Sequence, residues 1–297
     1  MTLDLSKMST ELRNSHTMDL DTMSIHDALK VMNEEDARVA DAVGQALPQI
    51  ERAVKAVIKA FKAGGRLIYV GAGTSGRLGL MDAAECPPTF GTDPGMVVAL
   101  LAGGDKAFTQ AVEGAEDSAA MGAEDLKAIN LQAKDVVIGI AASGRTPYVL
   151  GALNYAREVG CTTAAIACNH GSAVGAAADI AIEVVPGPEV LTGSTRLKAG
   201  TAQKQTLNMI STMSMVGIGK VYQNLMVDVR RTNEKLEKRA LNIIVNATEC
   251  DWDTASRKLQ EADGSVKFAI TMILLNCDLA TARSRLEAAG GHIRKAL

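Results

Sequence analysis

Short apolar segments alternate with helical patterns through the middle of the chain. Five of these segments show no alternation of polar and apolar residues, which is typical of strands buried on both faces of a parallel sheet. They cover residues 66–70, 96–101, 135–140, 162–167 and 180–185. Helical patterns occupy residues 75–85, 106–129, 146–158 and 171–177. This order predicts an α/β fold: a doubly wound, five-stranded parallel sheet with right-handed crossovers.

Helical periodicity also fills both ends of the chain. Apolar residues recur at helical spacing from Ser24, a candidate N-cap, to Phe61. From about residue 195 onward every periodic segment has a helical pattern. We therefore expect a loosely ordered lead-in over 1–24, a sheet domain with N-terminal helices over 25–225, and a small helical domain over 226–297.

Composition narrows the possible functions. The net charge is −3 with no basic block, which argues against nucleic acid or an anionic membrane as a partner. The chain has no run of 18 apolar residues and starts with a polar segment, so we expect neither a membrane span nor a signal peptide. Its five cysteines include no C-x-x-C pair, which favours reduced thiols in a cytoplasm. The four histidines lack metal-ligand spacing, so a metal enzyme is not expected.

One local pattern occurs twice. Residues 66–77 read RLIYVGAGTSGR and residues 136–147 read VVIGIAASGRTP. In each, a strand is followed by small residues, a Ser-Gly-Arg step and a helix, so bare backbone N–H groups and a positive helix end can hold an anion, most often a phosphate. The two copies lie about 70 residues apart, which suggests two walls of one crevice. We predict that this substrate site is lined by Thr74, Ser75, Ser143, Arg145 and Thr146.

Neither copy is a nucleotide fingerprint. Residues 71–76 match G-x-G-x-x-G, but a single match of this kind is weak evidence. In a nucleotide-binding fold, an acidic residue that binds the ribose ends a second strand about 20 residues later. Here that position holds Glu85, Cys86, Pro87 and Pro88, which do not have the pattern of a strand. The hydroxyl groups fit a phosphomonoester on a small metabolite better than a pyrophosphate. Two glycine-rich turns without a ligand are the alternative interpretation.

Glu85 is one candidate for acid–base chemistry. Pro87 disfavours helical backbone at Cys86, so the helix that follows the first loop is expected to end at Glu85. A carboxylate at the negative end of a helix tends to keep its proton, as a general acid must. From the residues alone, a solvated acid at a helix end is the simpler interpretation.

Glu116 is a second candidate, within the predicted helix 106–129. The apolar stripe of this helix consists of Phe108, Val112, Ala115, Ala119, Gly122, Leu126 and Ile129. Glu113, Asp117 and Glu124 are expected to point away from the stripe, whereas Glu116 and Asp125 lie on its borders. Glu116 is therefore better placed to reach a cleft beside the sheet.

Four longer blocks resemble one enzyme family. They are GAGTSGRLGLMDAAECPPTFG (71–91), AVEGAEDS (111–118), IAASGRTPYV (140–149) and GPEVLTGSTRLKAGTAQK (187–204). Together they closely resemble N-acetylmuramic acid 6-phosphate etherases, and the last block also resembles a signature of the glucokinase regulatory protein. The similarity runs from about residue 24 to the end of the chain.

The resemblance implies a flavodoxin-like sugar isomerase (SIS) domain followed by a small helical domain, in a homodimer. It implies a lyase that cleaves the D-lactyl ether of a phosphorylated amino sugar during cell-wall recycling, with Glu85 and Glu116 as the acid–base pair. It implies no cofactor and no metal. An aldose–ketose sugar-phosphate isomerase and a sugar-phosphate-sensing regulator remain as alternatives.

Overall fold

The computed structural model describes residues 8–110, 112–229 and 234–297. The described residues fall into two compact units. The first draws on Met1–Ala83 and Gly95–Ser211, and the second comprises Ala84–Pro94 and Thr212–Leu297. The domain limits expected after residues 24 and 225 stay a prediction.

The first unit is built on one five-stranded parallel sheet. Its strands are β1 (Leu67–Gly71), β2 (Val97–Leu101), β3 (Val136–Ile140), β4 (Thr162–Ala167) and β5 (Ile180–Glu183). The strand order is β2-β1-β3-β4-β5, and every pairing is parallel. This order confirms the predicted doubly wound fold and reverses direction between β1 and β3, where such folds bind ligands.

Among the described residues, nine α-helices precede, connect or follow these strands. They are α1 (Ile25–Ala37), α2 (Val39–Gln45), α3 (Leu47–Lys62), α4 (Gly73–Phe90), α5 (Lys106–Thr109), α6 (Ala119–Ala128), α7 (Pro147–Val159), α8 (Ala173–Ala177) and α9 (Lys198–Gly217). The border between the two units falls within α4 and within α9. Ser24 caps α1 as predicted, because its side chain accepts a hydrogen bond from the Asp27 backbone N–H.

The second unit is mostly helical. Its helices are α10 (Glu234–Thr248), α11 (Trp252–Glu261), α12 (Val266–Leu275), α13 (Leu279–Ala288) and α14 (Ile293–Ala296). Beyond residue 195 the expectation of helices alone is wrong, because β6 (Val221–Tyr222) and β7 (Leu225–Met226) form a small antiparallel hairpin. Gln223 has a positive φ of 55°, which suits its turn and not a helix. None of the described helices is both long and apolar enough to cross a membrane.

The prediction that helix α4 ends at Glu85 is wrong. The helix continues through Pro87 and Pro88 to Phe90. The prolines remove two N–H donors, but the Gly91 N–H bonds to the Pro87 carbonyl oxygen at 2.9 Å and closes the last turn. Cys86 and Phe90 are both buried one turn apart, and this burial stabilises the helical path.

The prediction of one continuous helix over 106–129 is also wrong, because the segment is divided into shorter helical pieces. Only α5, a 3₁₀ turn at Ala115–Asp117 and α6 are helical. Gly114 has a φ of +74°, in the left-handed region that a right-handed helix cannot include. A new helix then starts at Ser118, whose side chain accepts a hydrogen bond from the Met121 N–H. The stripe therefore belongs to two helices and a turn.

The described part of the lead-in is ordered, contrary to expectation. Thr10, Asn14 and Thr17 are buried. The Thr17 hydroxyl donates to the Val190 carbonyl oxygen, and the Asn14 amide donates to Glu35 and to the Pro188 carbonyl oxygen. Polar residues at this end of the chain thus form buried contacts with distant segments, which a polar sequence pattern alone does not reveal.

A buried ion pair lies at the centre of these contacts. Lys198 Nζ is 2.5 Å from Glu35 Oε2, and both side chains are at most 4% exposed. Burial alone would raise the pKa of Glu35, but hydrogen bonds from Lys198, His16 and Asn14 outweigh it and lower the pKa from 4.5 to about 2. The pair connects α1 to the start of α9.

We predict that Lys198→Met destabilises the protein by about 3 kcal/mol at pH 7, because it leaves the Glu35 carboxylate buried with fewer partners. In the wild type the ionised Glu35 stabilises the fold fully above pH 4.5, and this contribution is lost as the pH falls toward 2. The loss caused by the substitution should therefore shrink over this range. Urea unfolding at several pH values measures it.

Lys30→Met is the matched control. Lys30 Nζ lies 3.9 Å from Glu34 Oε1, and both side chains are well exposed. It should change the free energy of unfolding by less than about 0.5 kcal/mol. Equal effects of the two substitutions would contradict the role given to the buried pair.

Candidate active site

The first predicted loop is a very tight connection from β1 to α4. Strand β1 ends at Gly71 and α4 begins at Gly73, so only Ala72 separates them. A Cβ on Gly71 would lie 2.8 Å from the Gly76 N atom, and one on Gly76 would lie 2.5 Å from the Gly71 carbonyl oxygen. The glycines thus let the strand end and the first helical turn touch. The N-terminus of an 18-residue helix is thereby placed at the edge of the sheet.

The second predicted loop joins β3 to α7 over residues 141–146. Ser143 and Thr146 are half-buried and Arg145 is exposed. The Ser143 hydroxyl oxygen accepts a hydrogen bond from the Arg145 N–H at 3.3 Å, whereas the Thr146 side chain does not cap α7. Because β1 and β3 pair directly, with Gly71 opposite Ile140, both loops leave neighbouring strands at the same edge of the sheet.

The start of α9 contacts both loops. Ser75 Oγ donates to Gln203 Oε1 at 3.0 Å, and a Cβ on Gly200 would lie 3.7 Å from Thr74 Cγ2. Ala199 packs with Ala142 of the second loop in a small buried cluster. The block 187–204 therefore contributes a third wall to the site, a role that sequence reasoning did not assign to it.

Glu189 fixes the first turn of α9. Its two carboxylate oxygens accept hydrogen bonds from the Lys198 and Ala199 N–H groups, each at 2.9 Å. Burial raises the pKa of Glu189, although these hydrogen bonds act in the opposite direction. The N-terminus of α9 is thus occupied by a residue of this chain.

Asn169 fixes the second loop through hydrogen bonds to its backbone. Its side-chain amide donates to the Ala142 and Ser143 carbonyl oxygens at 3.3 and 3.2 Å and to the Thr10 hydroxyl at 3.0 Å. The Ser9 hydroxyl donates back to Asn169 Oδ1 at 2.9 Å. The N-terminal segment therefore supports the loop that carries Ser143.

A cavity of about 260 Å³ lies beside the first loop. It is lined by Ala72, Gly73, Arg77, Ala102, Ala107, Val112, Glu113, Gly114, Ala115 and Glu116. Glu116 is exposed in the 3₁₀ turn and lines this cavity, although the helix on which its position was predicted is broken. Glu113 was expected to point away, but it lines the same cavity because the segment turns at Gly114.

The five predicted phosphate-site residues do not line this cavity. Glu85 is exposed, and it lies in the second unit, whereas Glu116 lies in the first. Since α4 continues five residues past Glu85, the proposed effect of a helix end on this carboxyl group does not apply. Among the described residues, no three His, Cys, Asp or Glu side chains are grouped so that they could hold a metal ion.

Comparisons with known proteins identify the family of this chain. The profile of the glucokinase regulatory protein N-terminal SIS domain matches residues 49–157, and that of the SIS domain matches residues 115–213. An N-acetylmuramic acid 6-phosphate etherase from Geobacillus sp. is 59% identical over 293 residues, covering 99% of each chain. One from Exiguobacterium sp. is also 59% identical, over 99% of this chain and 100% of its own. This chain belongs to the N-acetylmuramic acid 6-phosphate etherase family.

Solved structures similar to this etherase-family chain include two phosphoheptose isomerases. The one from Francisella tularensis is 18% identical, with a TM-score of 0.49 over 66% of this chain and 98% of that chain. The one from Neisseria gonorrhoeae is also 18% identical, with a TM-score of 0.48 over 65% of this chain and 98% of that chain.

Proposed function

We propose that this protein cleaves the D-lactyl ether of N-acetylmuramic acid 6-phosphate to N-acetylglucosamine 6-phosphate and D-lactate. The observation that carries the proposal is the near-full-length identity of 59% to etherases. The two loops that contain glycine and serine at the switch point of the sheet support it. The same loops would suit a sugar-phosphate isomerase, so detection of lactate as a product is the deciding experiment.

The chemistry requires one base and one acid. In the ring-opened sugar, C3 is β to the C1 aldehyde, so the proton on C2 is acidified. A carboxylate removes this proton, and a carboxylic acid protonates the departing lactate oxygen. Water then adds at C3 by the reverse proton transfers. We assign the base to Glu116, which is exposed at the cavity beside the first loop, and the proton donor to Glu85.

The 6-phosphate is proposed to bind at the two loops. The N-termini of α4 and α7 supply backbone N–H groups there, and Thr74, Ser75, Ser143 and Thr146 supply hydroxyl groups. Arg145 is exposed beside Ser143 and adds a positive charge. These interactions bind substrate and transition state alike.

Ser75→Ala and Ser143→Ala should therefore each raise KM for the phosphorylated sugar by about 5- to 20-fold, with kcat changed less than about threefold. Steady-state lactate release measures both constants. Ser284→Ala, at an exposed position on α13, is the control and should leave both unchanged. An unchanged KM in both loop variants would contradict the proposal that the phosphate binds at these loops.

Isotopes test the assigned bond cleavage. If lactate leaves by breaking the C3–O bond, turnover in H₂¹⁸O must put the label in the sugar C3 hydroxyl and none in lactate. Turnover in D₂O should put deuterium at C2, because the proton removed from C2 exchanges before it returns. Label in lactate would contradict elimination.

Amide substitutions test the two carboxyl groups. Glu85→Gln and Glu116→Gln should each lower lactate release by about 100-fold or more, since an amide neither donates nor accepts a proton as a carboxyl group does. Glu85→Gln should still exchange the C2 proton in D₂O, whereas Glu116→Gln should lose exchange as well. Asp117→Asn, an exposed neighbour of Glu116, is the control. Near-normal turnover by either glutamine variant would refute the assignment.

We also propose that the protein acts as a homodimer. Helix α9 exposes Met209 (36%) and Met213 (50%) one turn apart, and α1 exposes Ile25 (81%) and Leu29 (60%). Such apolar faces are typical of surfaces that another chain covers.

Sedimentation velocity at assay concentrations should show a dimer, and the double substitution Met209→Lys with Met213→Lys should shift it toward a monomer with lower activity. A wild-type monomer with full activity would contradict the dimer.

A further inference from the structure

Of the described residues that line the cavity beside the first loop, Arg77 alone is positively charged. It is half-buried on α4 and shares the cavity with the carboxyl groups of Glu113 and Glu116. Within the described part of the chain, Arg77 forms no ion pair with either glutamate, and neither glutamate side chain makes a hydrogen bond. The charge of Arg77 is therefore not neutralised by the residues around it in the cavity.

Arg77 is held in place by two carbonyl oxygens of α5. Its Nε donates to the Phe108 oxygen at 2.8 Å, and its Nη2 donates to the Ala107 oxygen at 2.7 Å. These carbonyls belong to the last turn of α5 and have no partner within that helix. The guanidinium is thus fixed by its Nε–Nη2 edge, before any ligand binds.

The opposite edge of the guanidinium keeps its donors. A guanidinium carries five N–H groups in one plane, and the carbonyls of α5 take two of them. Two N–H groups on Nη1 and one on Nη2 remain, and Arg77 has no further acceptor among the described residues. This planar Nη1–Nη2 edge matches the two oxygens of a carboxylate, which it can bind through two parallel hydrogen bonds.

The proposed reaction brings a carboxylate to this cavity. Glu116 has to reach the proton on C2 of the sugar, and the lactyl group is attached through oxygen to the neighbouring carbon, C3. The lactyl carboxylate therefore lies only a few bonds from the atom on which Glu116 acts. Without a cation it would meet the like charges of Glu113 and Glu116. The phosphate is proposed to bind elsewhere, because none of its five proposed ligands lines this cavity.

We propose that Arg77 binds the carboxylate of the lactyl group through its Nη1–Nη2 edge and so selects substrates that carry this acid. The inference rests on the proposed function for the identity of the substrate. The apolar side chains of Ala102, Ala107 and Val112 line the same cavity and suit the methyl group on the carbon that bears the carboxylate. Arg77 is thus a substrate-binding residue, and the proton transfers remain with the carboxyl groups.

A cycle that changes enzyme and substrate together tests this contact. The second substrate is N-acetylmuramic acid 6-phosphate with its lactyl carboxylate converted to the neutral carboxamide. The wild type should favour the acid over the amide by about 10- to 100-fold in kcat/KM, as expected of a charge-assisted pair. In Arg77→Met the acid should have no advantage over the amide. An arginine that acted only by holding α5 would affect both substrates equally.

Two controls accompany the cycle. Arg77→Met should bind N-acetylglucosamine 6-phosphate, which lacks the lactyl group, within about twofold of the wild type, because the lost contact is to that group alone. Lys106→Met is the matched variant. It removes a positive charge from α5 next to Ala107, yet Lys106 is exposed and does not line the cavity. It should leave the preference for the acid unchanged.

Full preference for the acid in Arg77→Met would overturn the proposal. If that variant does not fold, Arg77→Gln decides, because it can still donate to a carbonyl of α5 but has neither the charge nor the planar edge. Retention of the preference in Arg77→Gln would refute the contact as well. Absence of lactate release by the wild type would refute the proposed function instead. The acid and the amide are then compared by their dissociation constants in titration calorimetry, which needs no turnover and still tests Arg77.

Discussion

The close contact between Gly71 and Gly76 is the constraint on which the site depends. A strand can pass into a helix through a single residue only if both backbones approach within a few ångströms, and any side chain at either glycine would prevent this. The contact brings the positive end of α4 to the edge of the sheet and orients Thr74 and Ser75 toward α9. The proposed anion site at this loop thus depends on backbone packing before it depends on side-chain chemistry.

The second loop depends on a different kind of support. It is longer, and its carbonyl oxygens are held by Asn169, which is itself held by Ser9 and Thr10. The Lys198–Glu35 pair similarly connects the start of α9 to α1. The first loop is fixed by sterics, whereas the second loop and α9 are fixed by buried polar contacts with segments far away in sequence.

This difference explains how much could be predicted from the sequence. The strands could be predicted, because continuous apolar segments are a local signal of a buried parallel sheet. The two loops that follow β1 and β3 could also be located, from their local Gly and Ser content. The break at Gly114 could not be predicted. The 3.6-residue period of apolar residues continues across it, whereas the positive φ of Gly114 interrupts the helix. The path of α4 through Pro87 and Pro88 could not be predicted either, because burial of Cys86 and Phe90 stabilises it. The roles of Thr10 and Gln203 depend on partners more than 100 residues away.

The proposed phosphate loops do not determine which reaction follows. Deprotonation at C2 is shared by isomerisation and by elimination, so a single base near the sugar is compatible with both. Elimination differs because a poor leaving group at C3 must be protonated as it departs, so it needs a proton donor as well as the base. Glu85 is exposed on α4, so its carboxyl group is accessible from solvent. The proton donor, and not the phosphate loops, is therefore the feature that distinguishes an ether lyase from an isomerase built on the same sheet.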